Sequence, residues 1–408
     1  MKILVLNAGS SSQKICLYEI GYSLPKNPPV PLWEARIEYS GTSEPAQVWV
    51  KNSSGKVLKE QHHVDSRPAA IRRVLERLWN GPAKVIANAS AIEIVGHRVV
   101  HGGREFTQPT IVTKDVKSSL ARLSELAPLH NVPALEGIEV VEKIFRSVLQ
   151  VAVFDTAFHS RLPEATATYA GPYEWIGEGI RRYGFHGINH QYCAERAAQL
   201  LGSPLRRLRL ITCHLGAGCS LAAVRDGRSI DTTMGFTPLE GLMMGTRSGS
   251  VDPGILIHLI RTHGYSAEAL DDILNRKSGL LGISGVSSDM RQLVVAMRRG
   301  NRRARLAFEM FVHRLCACIG SMLASLGGVD ALIFTAGIGE NSAEVRAAAC
   351  KALSFLGGKL DAKKNAPSGA DRDISVRGSA LRVLVIHAQE DWAIARECWR
   401  LSRAKRGR

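Results

Sequence analysis

The sequence predicts an α/β protein built from two related domains, and three observations carry that reading. Its 408 residues exceed what one core comfortably fills, so about two domains are expected. Apolar strand-like runs alternate with helical patterns, as in sheets covered by helices. Three of those runs, Ile3–Leu6, Leu208–Cys213 and Ala331–Phe334, each lead into a glycine-rich loop: Asn7–Ser12, His214–Ser220 and Gly337–Asn341. A glycine turn leaving a buried strand lets backbone N–H groups converge on an anion, because no Cβ blocks the approach. A single turn of this kind usually just reverses the chain. Three in the same context imply a polyphosphate site, with a nucleotide as the natural occupant.

The elements follow in order. Residues 1–6 and 14–20 read as a hairpin with Asn7–Ser12 at its tip. A proline-rich connection, Pro25 to Pro31, leads to β-type stretches at Leu32–Tyr39 and Gln47–Val50. A helix is expected near Ala69–Trp79, then the strand Ile92–Val100, a helix near Pro133–Phe145 and the strand Val148–Phe154. At Leu208 the pattern restarts: strand, glycine loop, strand Ser220–Arg225, turn Asp226-Gly227, strand Arg228–Thr233. Helices are expected at Asp252–Thr262, Ala267–Lys277 and Arg303–Leu326. The third loop then opens a helix at Ser342–Leu353, whose unpaired N–H groups make a natural anion site. Both halves begin as strand, glycine-serine loop and returning antiparallel strand. Two related α/β domains facing each other across a nucleotide cleft account for this repeat.

Composition narrows the function. The N-terminus starts a strand at once and turns polar too early for a secretory signal. No uninterrupted apolar run of about eighteen residues predicts a membrane span. Eight scattered cysteines suit reduced, packed thiols and a cytoplasmic location. Cys316 and Cys318, at i and i+2 of an expected helix, do not share a face for a metal. The net charge of +16 gathers in clusters at Arg181-Arg182, Arg206–Arg209, Arg298–Arg303 and the tail Arg403–Arg408, which read as solvated faces. No zinc-finger, basic-zipper or RNA-binding signature accompanies the charge, so nucleic acid is not the expected partner.

Several polar residues stand where strands end. Arg98 and His101 flank two glycines in Gly96–Gly103, Asp155 follows an apolar strand, and glycines bracket His186 and Arg247. Phosphoryl transfer calls for such groups: cations that neutralise the moving phosphoryl and Mg²⁺ bridging the nucleotide phosphates. Arginine suits the role because its planar fork binds carboxylate and phosphate oxygens without losing its proton. Singly, each has an ordinary reading. An arginine at a strand end is commonly a surface residue, Asp155 could cap a turn, and His101, His159 and His186 could each be structural. Their joint occurrence with the three loops favours chemistry. A P-loop NTPase and a protein kinase are disfavoured, since neither signature occurs.

Together these motifs resemble the acetokinase family, within the sugar kinase, actin and heat-shock chaperone ATPase superfamily. The matching segments are Leu6–Ser12 with Lys14, Gly96–Gly103, Leu126–Asn131, Phe154–His159, Arg182–Gly187, Met234–Gly241, Gly245–Gly249 and Phe334–Asn341. They run in order from residue 2 to about residue 396. The resemblance implies two actin-like, ribonuclease H-like domains, one of residues 1–157 plus 388–408 and one of residues 158–387. It also implies reversible phosphoryl transfer from ATP to acetate, giving acetyl phosphate and ADP, with Mg²⁺ or Mn²⁺, in a homodimer joined through the second domain. Carried over by motif position, Arg98 and Arg247 clamp the carboxylate and the phosphoryl. Asp155 orients Arg98 or the acetate, and His186 donates a hydrogen bond in the transition state. Asn7 and Glu390 position the hydrated metal. Lys14, His214, Leu215, Gly216, Ala217, Gly218, Asp289, Met290, Arg291, Gly337, Ile338, Gly339, Glu340 and Asn341 hold the nucleotide. Val100, Leu129, Phe185 and Pro238 line the methyl pocket, and a returning helix Asp391–Leu401 brings Glu390 to the first domain.

Four departures from the family pattern matter. Ala217 and Cys219 stand where Asn and Ala are usual, Ile188-Asn189 precedes His190 in place of Thr-Ser, Ser250 replaces a common Asp, and Val132-Pro133-Ala134 replaces Pro-Pro-Asn. The amide missing at Ala217 costs one side-chain hydrogen bond to phosphate, about 1 kcal/mol, and spares the backbone nest. Weaker nucleotide binding is the expected effect. The competing expectations are a propionate or other short-chain acyl kinase and a non-catalytic nucleotide-binding regulator.

Overall fold

The computed structural model describes residues 1–9, 12–39, 45–63 and 65–406, without the side chains of Leu129, Lys405 and Arg406. Ser10 and Ser11 of the first loop and the last two residues of the basic tail lie outside the described residues. The chain forms two compact units, Met1–Ala157 with Gln389–Arg408, and Phe158–Ala388.

The first unit holds an eight-stranded sheet: β1 (Lys2–Ala8), β2 (Ser12–Glu19), β3 (Trp33–Glu38), β4 (Ala46–Asn52), β5 (Val57–His62), β6 (Ile94–Val99), β7 (Thr110–Ile111) and β8 (Leu149–Phe154). Their order is β5-β4-β3-β2-β1-β6-β8-β7. Strands β1 to β5 pair antiparallel, and β1, β6 and β8 run parallel. Leu4, Leu6, Trp33, Val50 and Val95 belong to the buried core that Ile71, Val74, Val140 and Val141 complete from the helices Arg67–Glu76 and Pro128–Phe145. Gly96, next to Val95, points to the opposite face, because side chains alternate along a strand. The helix Glu390–Arg406 packs there, and a Cβ on Gly96 would lie 2.6 Å from Ile394 Cγ2 and 2.7 Å from Cys398 Sγ. That glycine lets the helix press onto the sheet with Glu390 and Asp391 in its first turn.

The second unit holds six strands: β9 (Arg209–Leu215), β10 (Cys219–Arg225), β11 (Arg228–Thr232), β12 (Ala331–Thr335), β13 (Arg372–Asp373) and β14 (Arg382–Val385), ordered β11-β10-β9-β12-β14-β13. Strands β9, β10 and β11 are antiparallel, and β12 runs parallel to both β9 and β14. The five strands β3-β2-β1-β6-β8 therefore have the same order and senses as β11-β10-β9-β12-β14. This is the ribonuclease H-like arrangement of actin-like ATPase domains, present once in each unit.

Several elements differ from the sequence expectations. The first hairpin is longer, because Asn7 and Ala8 still pair with Lys14 and Gln13. The third glycine segment is helical, with Ala336–Asn341 following directly from β12. Glu340 Oε1 accepts from Ala336 N at 2.8 Å, and buried Arg346 donates to Gly339 O and Glu340 O at 2.8 Å. These bonds offset the poor helix propensity of its two glycines. The helix expected from Pro133 begins at Pro128, where proline fits the first helical turn. Strand β5 and the helices Lys114–Leu123, Gly187–Leu201 and Met290–Arg298 had no sequence expectation. One basic residue is not part of a solvated face: Arg182 is tied to Glu240 at 2.7 Å, whereas Arg206 and Arg207 are exposed and Arg209 pairs with Asp330 at 2.9 Å while staying solvated. The helix Arg302–Leu326 is long and apolar enough to cross a membrane by length and composition, though no uninterrupted apolar run marks it. Its stripe Ala304, Ala307, Phe311, Leu315, Ile319, Met322 and Leu326 is buried within the second unit.

Two buried histidines predict an acid-labile fold. Burial lowers both His97, bonded to Gln150, and His159, bonded to Phe185 O, to about 4 from an ordinary 6.5. Between those values the unfolded chain binds more protons, so stability is full above about pH 6.5 and falls as pH drops toward 4. Each histidine is expected to remove about 3 kcal/mol across that window. Urea unfolding at pH 7 and pH 4.5 tests this. Equal midpoints would contradict it, and His97→Gln should weaken the dependence.

Candidate active site

In the first unit the ends of parallel β1 and β6 place Asn7 beside Arg98. Arg98 donates from Nε and Nη2 to Asp155 Oδ2 at 3.1 and 2.6 Å, and from Nη1 to Asn7 Oδ1 at 3.2 Å. Asp155 is fully buried just past β8, its own N–H donating to Val99 O at 3.0 Å. Burial opposes the charge on Arg98, but Asp155, Glu390 and Asp391 outweigh it and raise its pKa above the ordinary value. The Asn7 amide donates to Glu390 Oε2 at 3.2 Å and Asp391 Oδ1 at 3.0 Å, and Lys14 pairs with Asp391. A cleft of about 600 Å³ opens over these groups, lined by Asn7, Gly9, Ser12, Lys14, Arg98 and Glu390, with Arg36 and Trp49 at its side.

Val100 is buried close to Arg98, and the side chain of Leu129 lies outside the described residues. His101 has a structural position. It exchanges two 3.0 Å hydrogen bonds with Asn131, which pin the end of β6 to the helix Pro128–Phe145.

In the second unit His186, Arg247 and the start of the third glycine segment adjoin the β9–β10 turn. Gly216 and Gly218 are half-buried and Ala217 is exposed at the tip. A Cβ on Gly218 would lie 3.5 Å from both Arg247 Nη1 and His186 Nε2. A Cβ on Gly216 would lie 3.6 Å from Ala336 Cβ, at the start of the third glycine segment. Gly245 N donates to Ala217 O at 3.1 Å, and Ser288, next to Asp289, packs against Gly245. Asp289 caps the helix Met290–Arg298 and pairs with exposed Arg291 at 2.6 Å. The side chains of Leu215 and Met290 are buried, so only their backbones can face a ligand.

His186 sits in the left-handed region, φ 57°, where the chain turns into the helix Gly187–Leu201. A non-glycine residue held there signals a constrained position. Its ring stacks on His214 at 4.0 Å and 10°, and its Nδ1 meets Ser220 Oγ at 2.8 Å. Phe185 is buried behind it. Arg247 donates to Pro238 O at 3.1 Å and forms no carboxylate ion pair among the described residues, and burial lowers its pKa.

The chain is similar throughout its length to proteins of known family. Residues 2–396 match the Acetokinase family. The chain belongs to the acetokinase family. It is 59% identical to the acetate kinase of a Cyanothece species over 401 residues, covering 98% of each chain. It is also 59% identical to the acetate kinase of a Nostoc species over 402 residues, covering 98% of this chain and 99% of the other. A solved acetate kinase from Porphyromonas gingivalis superposes with a TM-score of 0.90 at 38% identity, covering 98% and 99% of the two chains. A solved propionate kinase from Francisella tularensis does so with 0.88 at 38% identity and the same coverage. The chain is thus a phosphotransferase whose acceptor is a carboxyl group.

Within this family frame, the departures in sequence have local partners. Asn189 donates to His214 Nδ1 at 2.8 Å, and His190 bonds both Ser220 Oγ at 2.8 Å and Thr212 Oγ1 at 2.7 Å. Ser250 exchanges two 3.0 Å hydrogen bonds with Gly241, tethering the segment that follows Pro238. Sequence reasoning missed Ser220, His190 and Thr212 as well as Asp391, the partner of Lys14. It also missed the Arg182–Glu240–Tyr169 cluster, where Arg182 donates to Thr232 O, Thr233 O and Met234 O and braces the Pro238 segment. The i, i+4 spacing of the two histidines was the available signal, with His186 just before the helix that carries His190.

Proposed function

We propose that this chain transfers a phosphoryl group between ATP and acetate, forming acetyl phosphate and ADP reversibly. One observation supports the roles most directly: Arg247 and His186 flank the point above Gly218 at 3.5 Å, so a phosphoryl received by that turn meets a cation and an imidazole. Arg247 neutralises charge on the transferring group, and His186 donates to its oxygens. The turn Gly216–Gly218, the Asp289–Arg291 segment and the Ala336–Asn341 helix hold the nucleotide. Arg98, locked by Asp155, binds the acceptor carboxylate, which is already ionised and needs no base. His214 and Lys14 complete the two anion-binding sets.

The metal reading is a proposal of the same kind. Asn7, Glu390 and Asp391 gather oxygen ligands in one cleft, but no group of three His, Cys, Asp or Glu that could hold a metal occurs among the described residues. That donor set fits Mg²⁺, which retains water and takes phosphate oxygens, better than an all-protein cage. Asn7 and Glu390 would hold it, Lys14 neutralising Asp391 beside them. When bound, the ion supplies charge neutralisation for the nucleotide phosphates.

The second reading, a propionate kinase, is favoured by the propionate kinase of equal identity. Hydroxamate formation from hydroxylamine, Mg-ATP and acetate, propionate or butyrate decides between them. Acetate is expected to give the highest kcat/KM, with propionate lower by about 10–200-fold, the worth of one methylene. A propionate preference would move the assignment. A homodimer through the second unit is proposed as well. The helix Pro253–His263 supports it by leaving Ile255, Ile257 and Ile260 about half exposed. A cytoplasmic location is supported by eight free cysteines, six of them buried.

A further inference from the structure

The hydrogen bonds behind His186 run in one direction. Thr212 Oγ1 lies 3.4 Å from Ala222 O, which can only accept, and 2.7 Å from His190 Nδ1; with the hydroxyl proton directed at the carbonyl, Nδ1 donates to the hydroxyl oxygen. In that arrangement the proton of His190 is on Nδ1. This ring is fully buried, and burial, with His159 and His214 adding to it, holds its pKa well below the ordinary value. His190 is neutral, and its Nε2 is a bare acceptor. Ser220 has one hydroxyl proton and gives it to that nitrogen at 2.8 Å. The same oxygen must then accept from His186 Nδ1, also at 2.8 Å. A neutral His186 therefore carries its proton on Nδ1, and the Nε2 aimed at Gly218 carries none.

His214, stacked 4.0 Å away, is set the other way. Cys193 Sγ lies 3.6 Å from Asn189 Oδ1, which orients the amide so that Nδ2 donates to His214 Nδ1 at 2.8 Å. The His214 proton is then on Nε2, beside Gly216. Two stacked imidazolium rings repel, so one of the pair takes the second proton. Within this unit the titratable or charged groups near His186 include His190, Arg247 and the buried Cys219 thiol, which burial raises to about 12 and keeps neutral.

We propose that Ser220 and His190 are positioning residues that hold His186 in its Nδ1–H tautomer, so that Nε2 donates to the transferring phosphoryl only from the imidazolium. This rests on the phosphoryl-transfer reading above. A neutral His186 with its proton on Nε2 could donate at any pH. The relay removes that form and makes donation depend on protonation.

The ligand-free full chain, ¹⁵N-labelled at histidine, tests the tautomer directly by long-range ¹H–¹⁵N correlation. His186 is expected to show Nδ1–H above its titration, and Ser220→Ala a mixture with Nε2–H. Nε2–H in the unsubstituted protein would overturn the proposal. The second readout is kcat for hydroxamate formation against pH. For the unsubstituted enzyme it should fall about tenfold per pH unit above the His186 titration. The Ser220→Ala variant should be slower at low pH but lose less on the alkaline side, so its rate relative to the parent climbs with pH, and Ser220→Thr should restore the parent profile. A deficit of constant size at every pH would reduce Ser220 to a packing role and overturn the proposal. Absence of acyl phosphate from any acid would instead sink the phosphoryl-transfer reading, while the ¹⁵N spectrum would still decide the tautomer.

Discussion

Replacing Arg98 with Ala is expected to lower kcat/KM for acetate about 10³-fold and to destabilise the first unit by about 3–5 kcal/mol. Both effects come from one geometry. Asp155 is fully buried, and its Oδ2 takes two N–H groups from the Arg98 guanidinium. Removing the guanidinium leaves a buried carboxylate with its charge uncompensated, which costs far more than the pair itself contributes. Arg98→Lys keeps the charge but not the planar fork, so it should recover stability in part and activity little. The double variant Arg98→Ala/Asp155→Asn separates the two effects: stability should return toward the parent while activity stays low. Urea midpoints and hydroxamate rates on the four proteins give the answer. Parental activity in Arg98→Ala would remove this arginine from the acceptor site.

Gly218→Ala is expected to fold normally and to lose about 10²–10³-fold in kcat/KM. The added methyl would meet Arg247 Nη1 and His186 at 3.5 Å, ordinary contact distances, so the native structure accommodates it. It would nonetheless fill the position above the turn that the proposed reaction gives to a phosphoryl oxygen. Gly249→Ala serves as the opposite control. There φ is +71°, and the methyl would lie 2.3 Å from Leu242 O, so the loop carrying Arg247 cannot keep its path and the protein should lose stability. Thermal unfolding with a nucleotide-binding titration distinguishes the two. An unfolded Gly218→Ala, or one with full activity, would contradict the role given to the turn.

Much of the arrangement was legible because it rests on local chemistry. Glycine turns after apolar runs marked Gly216–Gly218 and the start of the Ala336–Asn341 helix, and arginines next to glycines marked Arg98 and Arg247. What stayed hidden depended on pairs far apart in sequence. Nothing near Lys14 announces that Asp391 neutralises it, and Gly96 gives no sign that the helix Glu390–Arg406 needs its missing Cβ. The Ala336–Asn341 segment reads as a loop because glycine is a poor helix former. It is helical because Arg346 and Glu340 satisfy its backbone. Arg182 reads as a solvated charge and is instead a brace, since burial cannot be read from a charged residue alone.

The sequence by itself determined the α/β class, the doubled strand–turn–strand pattern, the family and the candidate residues for a phosphate and carboxylate site. Those follow from hydrophobic period, glycine placement and side-chain chemistry, all local properties. Only the tertiary structure decided which hydroxyl meets Nδ1 of His186, which carboxylate holds Arg98 and how Asn7 meets Glu390. Each of these is set by a hydrogen bond between residues 34 to 383 positions apart, a relation created by strand register and helix docking.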